Sequence, residues 1–123
     1  MKIRIKGNSI RYRLSKTEID KFGRDGLLEE KTDFLNGPSF FYRLQKKKGI
    51  VALEASFSEN RISIFVPEEI ANEWTGTTIV WFDTTMNIGD EKTLFILIEK
   101  DFVCLDHTFE DQSDNYPNPN KIC

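Results

Sequence analysis

A chain of 123 residues with 39% hydrophobic and 30% charged residues has the size and composition of one folded domain, which excludes a disordered chain. The net charge of −3 conceals a basic start, because residues 1–24 hold eight Lys and Arg against two acids, whereas residues 101–123 hold one against five. This acidic balance disfavours nucleic acid as a partner. The longest apolar runs are far shorter than the roughly 20 residues that cross a membrane, so we expect a soluble protein without membrane contact.

The cysteine content indicates a reducing compartment. Cys104 and Cys123 allow at most one disulfide, and the charged sequence after Met1 does not resemble a secretory signal. We therefore expect a cytoplasmic protein.

The chain opens with a predicted β-hairpin. Lys2–Lys6 and Ser9–Leu14 alternate apolar and basic residues, and Gly7-Asn8 between them is typical of a two-residue turn. Ser15 and Glu18 then have the spacing of a capping box, which predicts a short helix ending near Gly23.

The rest of the chain predicts six more strands and a second helix. Pro67 suits the first position of that helix, since its missing N–H costs little there. In chain order the predicted elements are strands 27–32, 39–45, 50–57 and 61–66, the helix 67–74, and strands 78–84 and 93–99.

The two halves of the chain repeat one pattern about 52 positions apart, which predicts a duplicated βαβ unit. The matching positions are Ile10, Tyr12, Leu14 and Phe22 with Ile62, Ile64, Val66 and Trp74, followed by Gly26–Leu28 with Thr78–Val80. We expect half-repeats at about 1–48 and 49–100 in a single domain over 1–105, with a polar tail over 106–123. Phe22 and Trp74 are predicted to be core residues.

The order of elements, ββαββββαββ, predicts an α+β fold. Hairpin-length connections join antiparallel neighbours, and a closed sheet hides its edges. We therefore expect a mainly antiparallel, eight-stranded, barrel-like sheet with two short helices.

Five cations on the first hairpin form the candidate binding site: Lys2, Arg4, Lys6, Arg11 and Arg13. In one interpretation they lie on a solvated outer face, balanced by Glu29, Glu30 and Glu99 on neighbouring strands. In a second they line the barrel interior and bind an anionic ligand such as phosphate. A third makes them a contact surface for another macromolecule.

Other groupings of chemical side chains do not complete a site. Cys104, His107 and Cys123 lack the second ligand pair of a zinc site. A calcium loop that starts with Asp111, Ser113 and Asn115 fails, because Tyr116 replaces the required Gly and Ile122 the required Glu. The chain also has no glycine-rich phosphate loop, GxSxG or HExxH motif. We predict no catalytic residue, metal or cofactor.

The opening residues 2–15, Lys-Ile-Arg-Ile-Lys-Gly-Asn-Ser-Ile-Arg-Tyr-Arg-Leu-Ser, resemble a family of short bacterial proteins with a domain of unknown function, as do Cys104-Leu105 and residues 114–119. The likeness covers the whole chain and implies a compact bacterial cytoplasmic domain.

The order of strands and helices is also similar to the triphosphate-tunnel (CYTH) barrels, which are built from duplicated βαβ units and bind polyphosphate through inward Arg, Lys and Glu. That family has Glu-x-Glu-x-Lys on its first strand, whereas Lys2-Ile3-Arg4-Ile5-Lys6 places cations where the metal-binding carboxylates would stand. The resemblance therefore implies only the shape of the barrel.

These observations favour a non-enzymatic binding or protein-interaction domain, with a barrel that binds phosphate or a nucleotide, or acts as a phosphohydrolase, as the alternative. The acidic tail, with Asp106, Glu110, Asp111 and Asp114 against Lys121, is predicted to lie near the basic hairpin with help from Tyr116, Pro117 and Pro119.

Overall fold

The computed structural model describes residues 1–102 and residue 116. Within these residues the chain forms eight strands and two helices in the predicted order. The elements are β1 (Lys2–Ile5), β2 (Ser9–Leu14), α1 (Lys16–Asp25), β3 (Leu27–Thr32), β4 (Phe40–Lys47), β5 (Glu54–Ser58), β6 (Arg61–Pro67), α2 (Glu68–Gly76), β7 (Trp81–Gly89) and β8 (Lys92–Lys100).

The described strands form two four-stranded mixed sheets, and the α+β class is confirmed. The first sheet has the order β1-β2-β8-β7 and the second has the order β3-β4-β6-β5. The outer pairs of each sheet are antiparallel hairpins, whereas the middle pairs, β2 with β8 and β4 with β6, are parallel.

The predicted closed, mainly antiparallel, eight-stranded barrel is not confirmed. Each helix carries the chain from one sheet to the other, α1 from β2 to β3 and α2 from β6 to β7. Each sheet therefore combines one hairpin from each half of the chain, and the two hairpins join through a parallel pair that connection lengths alone do not predict.

The two halves have the same strand pairing. Lys2 pairs with Arg13 as Glu54 pairs with Phe65, so both partners are shifted by 52 positions. After the helices the shift becomes 54, because Leu27 pairs with Gln45 and Trp81 pairs with Glu99.

The predicted match of Gly26–Leu28 with Thr78–Val80 is therefore wrong by two positions. Gly26 closes α1 in the left-handed region, at φ 72°, and β3 starts at the next residue. After α2 the chain runs through residues 77–80 before β7 begins at Trp81.

The first residues of the two helices differ in how they are capped. The predicted capping box of α1 is present, since the Glu18 backbone N–H donates to Ser15 Oγ and the Ser15 N–H donates to the Glu18 carboxylate. In α2, Pro67 is the N-cap instead of the first helical residue and supplies no side-chain hydrogen bond. In the part of the chain that the structure describes, no helix is long and apolar enough to cross a lipid bilayer.

Strands β5 and β7 begin later than the sequence predicts. Val51 is 95% exposed, and pairing with β6 starts only at Glu54. The last hairpin closes through the left-handed residues Asp90 and Glu91, so β7 continues to Gly89 where the sequence suggests a longer turn.

The core lies between the sheets and continues under the helices. Tyr12 and Leu14 from the first sheet and Leu44 and Ile64 from the second are fully buried. The Tyr12 hydroxyl donates to the Ile62 carbonyl oxygen of the facing sheet (3.1 Å), and burial raises the pKa of Tyr12. The two sheets are therefore joined by a directional bond as well as by apolar packing.

The predicted core positions in the helices are confirmed. Phe22 and Trp74 are buried, and their rings meet edge to face with centroids 6.2 Å apart. Aromatic pairs favour this geometry because the ring edge is positive and the face negative.

Candidate anion-binding surface

Alternation along β1 and β2 decides which way the basic side chains point. Ile3, Ile10 and Tyr12 pack into the core, and Ile5 is an exception at 55% exposure near the end of its strand. The cations occupy the alternate positions and lie on the outer side of the first sheet. They line no interior space between the sheets, so the tunnel interpretation is wrong.

We call this outer side the basic face, defined by the five predicted cations Lys2, Arg4, Lys6, Arg11 and Arg13. The antiparallel register places Lys2 opposite Arg13 and Arg4 opposite Arg11. Directly opposed like charges destabilise a strand pair unless acids or an anionic ligand compensate.

One buried carboxylate from β8 supplies part of that compensation. Glu99 is only 4% exposed, its Oε1 accepts from Arg13 Nε at 2.8 Å, and it lies 3.5 Å from Arg11 Nε. A charge buried to this extent requires such partners, because its desolvation would otherwise cost several kcal/mol. Glu99 therefore holds the guanidinium groups of Arg11 and Arg13 on the basic face.

Asp101 compensates charge at the end of the face. It lies 2.9 Å from Lys2 Nζ and 3.9 Å from Arg13 Nη1, and its backbone N–H donates to the Leu14 carbonyl oxygen at 2.8 Å. Asp83 also lies on the outer side of β7, so the described part of this side carries acids as well as the five cations.

The expectation that Glu29 and Glu30 balance this face is wrong. Both lie on β3 in the second sheet, where Glu29 accepts from Arg43 Nε and Arg61 Nε at 2.8 Å each. Glu30 lies 3.9 Å from the Met1 ammonium group. Only Glu99 of the three predicted acids is close to the cations.

Two adjoining depressions open on the basic face, with volumes of about 240 and 260 Å³. Arg4 and Arg11 line both of them. The first depression is lined by Arg4, Lys6, Ser9, Ile10, Arg11, Phe95 and Leu97, and the second by Lys2, Ile3, Arg4, Arg11 and Arg13. The fold thus brings all five predicted cations to the walls of these two depressions.

Sequence reasoning missed the apolar wall of the first depression. Phe95 and Leu97 reach it because β8 pairs in parallel with β2, which places Phe95 beside Ser9 and Leu97 beside Arg11. Alternation along β8 does put Phe95, Leu97 and Glu99 on one face, but nothing in the sequence identifies β2 as the neighbour.

The arrangement is suited to binding anions by charge and hydrogen bonding. The Ser9 hydroxyl donates to the Lys6 carbonyl oxygen at 2.6 Å. A backbone carbonyl cannot act as the general base that would activate a serine nucleophile. Among the described residues, no group of three or more His, Cys, Asp or Glu side chains could hold a metal ion.

The features predicted at the end of the chain lie outside the described residues. These are the Cys104, His107 and Cys123 group, the failed calcium loop at Asp111–Asn115, and the acidic tail. Tyr116 is described and is 96% exposed, so the predicted packing of its ring against the hairpin is not found.

The chain matches the model of one protein family. The model of a family of unknown function, DUF7009, matches residues 1–120, and the chain belongs to that family. No curated protein and no solved structure matches it. The similarity to triphosphate-tunnel barrels is not confirmed.

Proposed function

We propose that this chain, whose family has no assigned function, is a non-enzymatic binding domain and that the basic face holds its anionic partner. The observation that carries this proposal is the convergence of Lys2, Arg4, Lys6, Arg11 and Arg13 on two adjoining depressions. Convergent Arg and Lys side chains bind carboxylate and phosphate groups through charge-assisted hydrogen bonds.

The second half of the chain shows that the fold does not require these cations. At the positions shifted by 52, β5 has Glu54, Ser56 and Ser58 where the first hairpin has Lys2, Arg4 and Lys6. The same pairing thus forms without opposed cations. Because opposed cations cost stability, a role in binding accounts for them better than a role in folding.

The partner in this proposal is a small anion or an acidic protein segment. The net charge of −3 on the chain does not favour a nucleic acid backbone as the partner. A bacterial, cytoplasmic location is part of the proposal, supported by the low cysteine content and the resemblance of the opening hairpin. A phosphohydrolase activity is not retained, because the cations line no tunnel.

A thermal-shift screen with phosphate, pyrophosphate and a nucleoside triphosphate tests the proposal. A ligand that binds the native state must raise the melting temperature, and the shift should fall at high salt as exposed charges are screened. The double variant Arg4→Gln, Lys6→Gln should lose most of the shift. The matched control Lys16→Gln, Lys48→Gln removes two exposed cations elsewhere and should retain it.

Two results would contradict the proposal. One is the absence of any shift with all three anions at low salt. The other is an equal loss in the double variant and in its control, which would show that the anions respond to overall charge.

A further inference from the structure

The second sheet provides an internal reference for the first depression. Ser9 beside Phe95 in the first sheet corresponds to Arg61 beside Phe41 in the second, by the shifts of 52 and 54. Both pairs belong to the parallel strands at the centre of their sheets. The two sites therefore differ in side chains on the same backbone arrangement.

In the second sheet this position is filled. The Arg61 guanidinium carbon lies 4.6 Å from the centroid of the Phe41 ring, and Arg61 Nε donates to Glu29 at 2.8 Å. A cation over an aromatic face is attracted by the ring quadrupole. The guanidinium lies over the ring, and Arg43 Nε donates to the same Glu29 oxygen at 2.8 Å.

In the first sheet the equivalent position is open. Ser9 replaces the long arginine side chain, and Leu97 stands where Arg43 would be. Phe95 is 40% exposed. The depression of about 240 Å³ occupies this place.

The walls of the depression differ in chemistry. Lys6, Arg4 and Arg11 form one side, and Phe95 and Leu97 form the other. Three cations on one side disfavour a cationic ligand over Phe95. An anionic group is favoured on one side and an apolar surface on the other.

We infer that the depression at Ser9 binds a small molecule with a single flat apolar ring and one carboxylate or phosphate group. The ring lies against Phe95 and Leu97, and the anionic group faces Lys6, Arg4 and Arg11. The volume suits this size, since a cavity of about 150 Å³ is enough for benzene. This inference rests on the proposed function and names its ligand class.

An NMR titration of the full chain with phenyl phosphate, inorganic phosphate and phenol tests the inference. Phenyl phosphate should shift the amide signals of Ser9 and Phe95 and bind at least about tenfold more tightly than either fragment, because it contacts both walls. Equal affinity for inorganic phosphate would overturn the role of the apolar wall and leave the proposed function standing. Binding of neither anion would overturn both.

The variant Ser9→Met places a long, uncharged side chain at the position of Arg61 and should fill the depression without adding a cation. We expect at least a tenfold loss of phenyl phosphate affinity with the fold retained, because the long side chain of Arg61 is accommodated at the equivalent position. The control Ser56→Met makes the same change at an exposed site on β5 and should bind like the wild type. Unchanged affinity in Ser9→Met would show that the ligand binds elsewhere.

A second variant keeps the test valid if Ser9→Met does not fold. Lys6→Gln, on an exposed side chain, should weaken phenyl phosphate binding severalfold and leave phenol binding unchanged. An equal change for both compounds would contradict the orientation of the ligand.

Discussion

Single acidic residues organise the outer sides of both sheets. Glu99 lies between Arg11 and Arg13 in the first sheet, and Glu29 lies between Arg43 and Arg61 in the second. A carboxylate shared by two arginines limits the motion of both guanidinium groups, since each is held by a charge-assisted contact. The two acids stand at different positions of the repeat, so each sheet has its own arrangement of charge.

Glu29 allows a pH-dependent prediction. Partial burial raises the pKa of Glu29, but hydrogen bonds and charge from Arg43 and Arg61 outweigh it and hold the pKa below its usual value. Its stabilisation is therefore present above the unfolded-state pKa of about 4.3 and is lost as the pH falls through the lower folded-state pKa.

The variant Glu29→Gln should lower the free energy of unfolding by about 0.5–1 kcal/mol at neutral pH, as befits a partly exposed ion pair. Urea unfolding at neutral pH and at about pH 2.5, well below the ordinary carboxylate range, measures this. The difference from the wild type should be smaller at the lower pH. Glu54→Gln is the control, and a pH-independent loss in Glu29→Gln would contradict the ion-pair explanation.

At the scale of elements, the two helices begin in different ways on equivalent parts of the chain. α1 has a reciprocal capping box, which satisfies backbone N–H groups at both Ser15 and Glu18. α2 begins after Pro67 with Glu68 and Glu69 in its first turn, where negative charge interacts favourably with the helix dipole. The start of α1 therefore depends on the Ser15 hydroxyl group, whereas the start of α2 has no side-chain cap.

Replacement of that hydroxyl gives a prediction for α1. Ser15→Ala should lower the free energy of unfolding by about 1 kcal/mol, because the Glu18 N–H loses its acceptor. Chemical denaturation of both proteins measures the difference. Ser15→Thr keeps an acceptor oxygen and should recover most of the loss, whereas equal losses in Ala and Thr would show that the cap contributes little.

At the scale of the whole molecule, two halves with the same pairing have diverged in charge. The first hairpin is basic, and its counterpart in the second sheet carries Glu54, Ser56 and Ser58. Each sheet nevertheless contains one hairpin from each half, so neither half could form its sheets alone. The proposed site belongs to this combined structure, since β1 and β2 supply its cations and β8 supplies its apolar wall.

The acidic tail remains a prediction at this scale. Residues 106–123, apart from Tyr116, lie outside the described part of the chain. Because the first hairpin is basic and the tail is acidic in sequence, electrostatic attraction between them is still expected. Deleting residues 108–123 should lower the melting temperature modestly at low salt and less at high salt. A truncated protein that melts like the intact one at low salt would show that the tail does not contact the face.

The sequence by itself determined the order of the elements, the capping box and the side of β2 on which each residue lies. These features depend on neighbours a few positions away, through the periods of strands and helices and the caps of helix ends. The five cations could be assigned to one face for the same reason. The alternation of Ile10 and Tyr12 with Arg11 and Arg13 already indicated that apolar and basic residues point in opposite directions.

Only the tertiary structure decided which strands are neighbours and therefore where the site is. Ser9 and Phe95 are 86 positions apart and pair in parallel, a contact that leaves no local signal in either strand. That pairing replaced the expected barrel with two sheets, put the cations on an outer side, and placed Phe95 and Leu97 beside them. The chemistry of each strand could be derived from local pattern, but the combination of charge and apolar surface depends on long-range packing that local pattern does not encode.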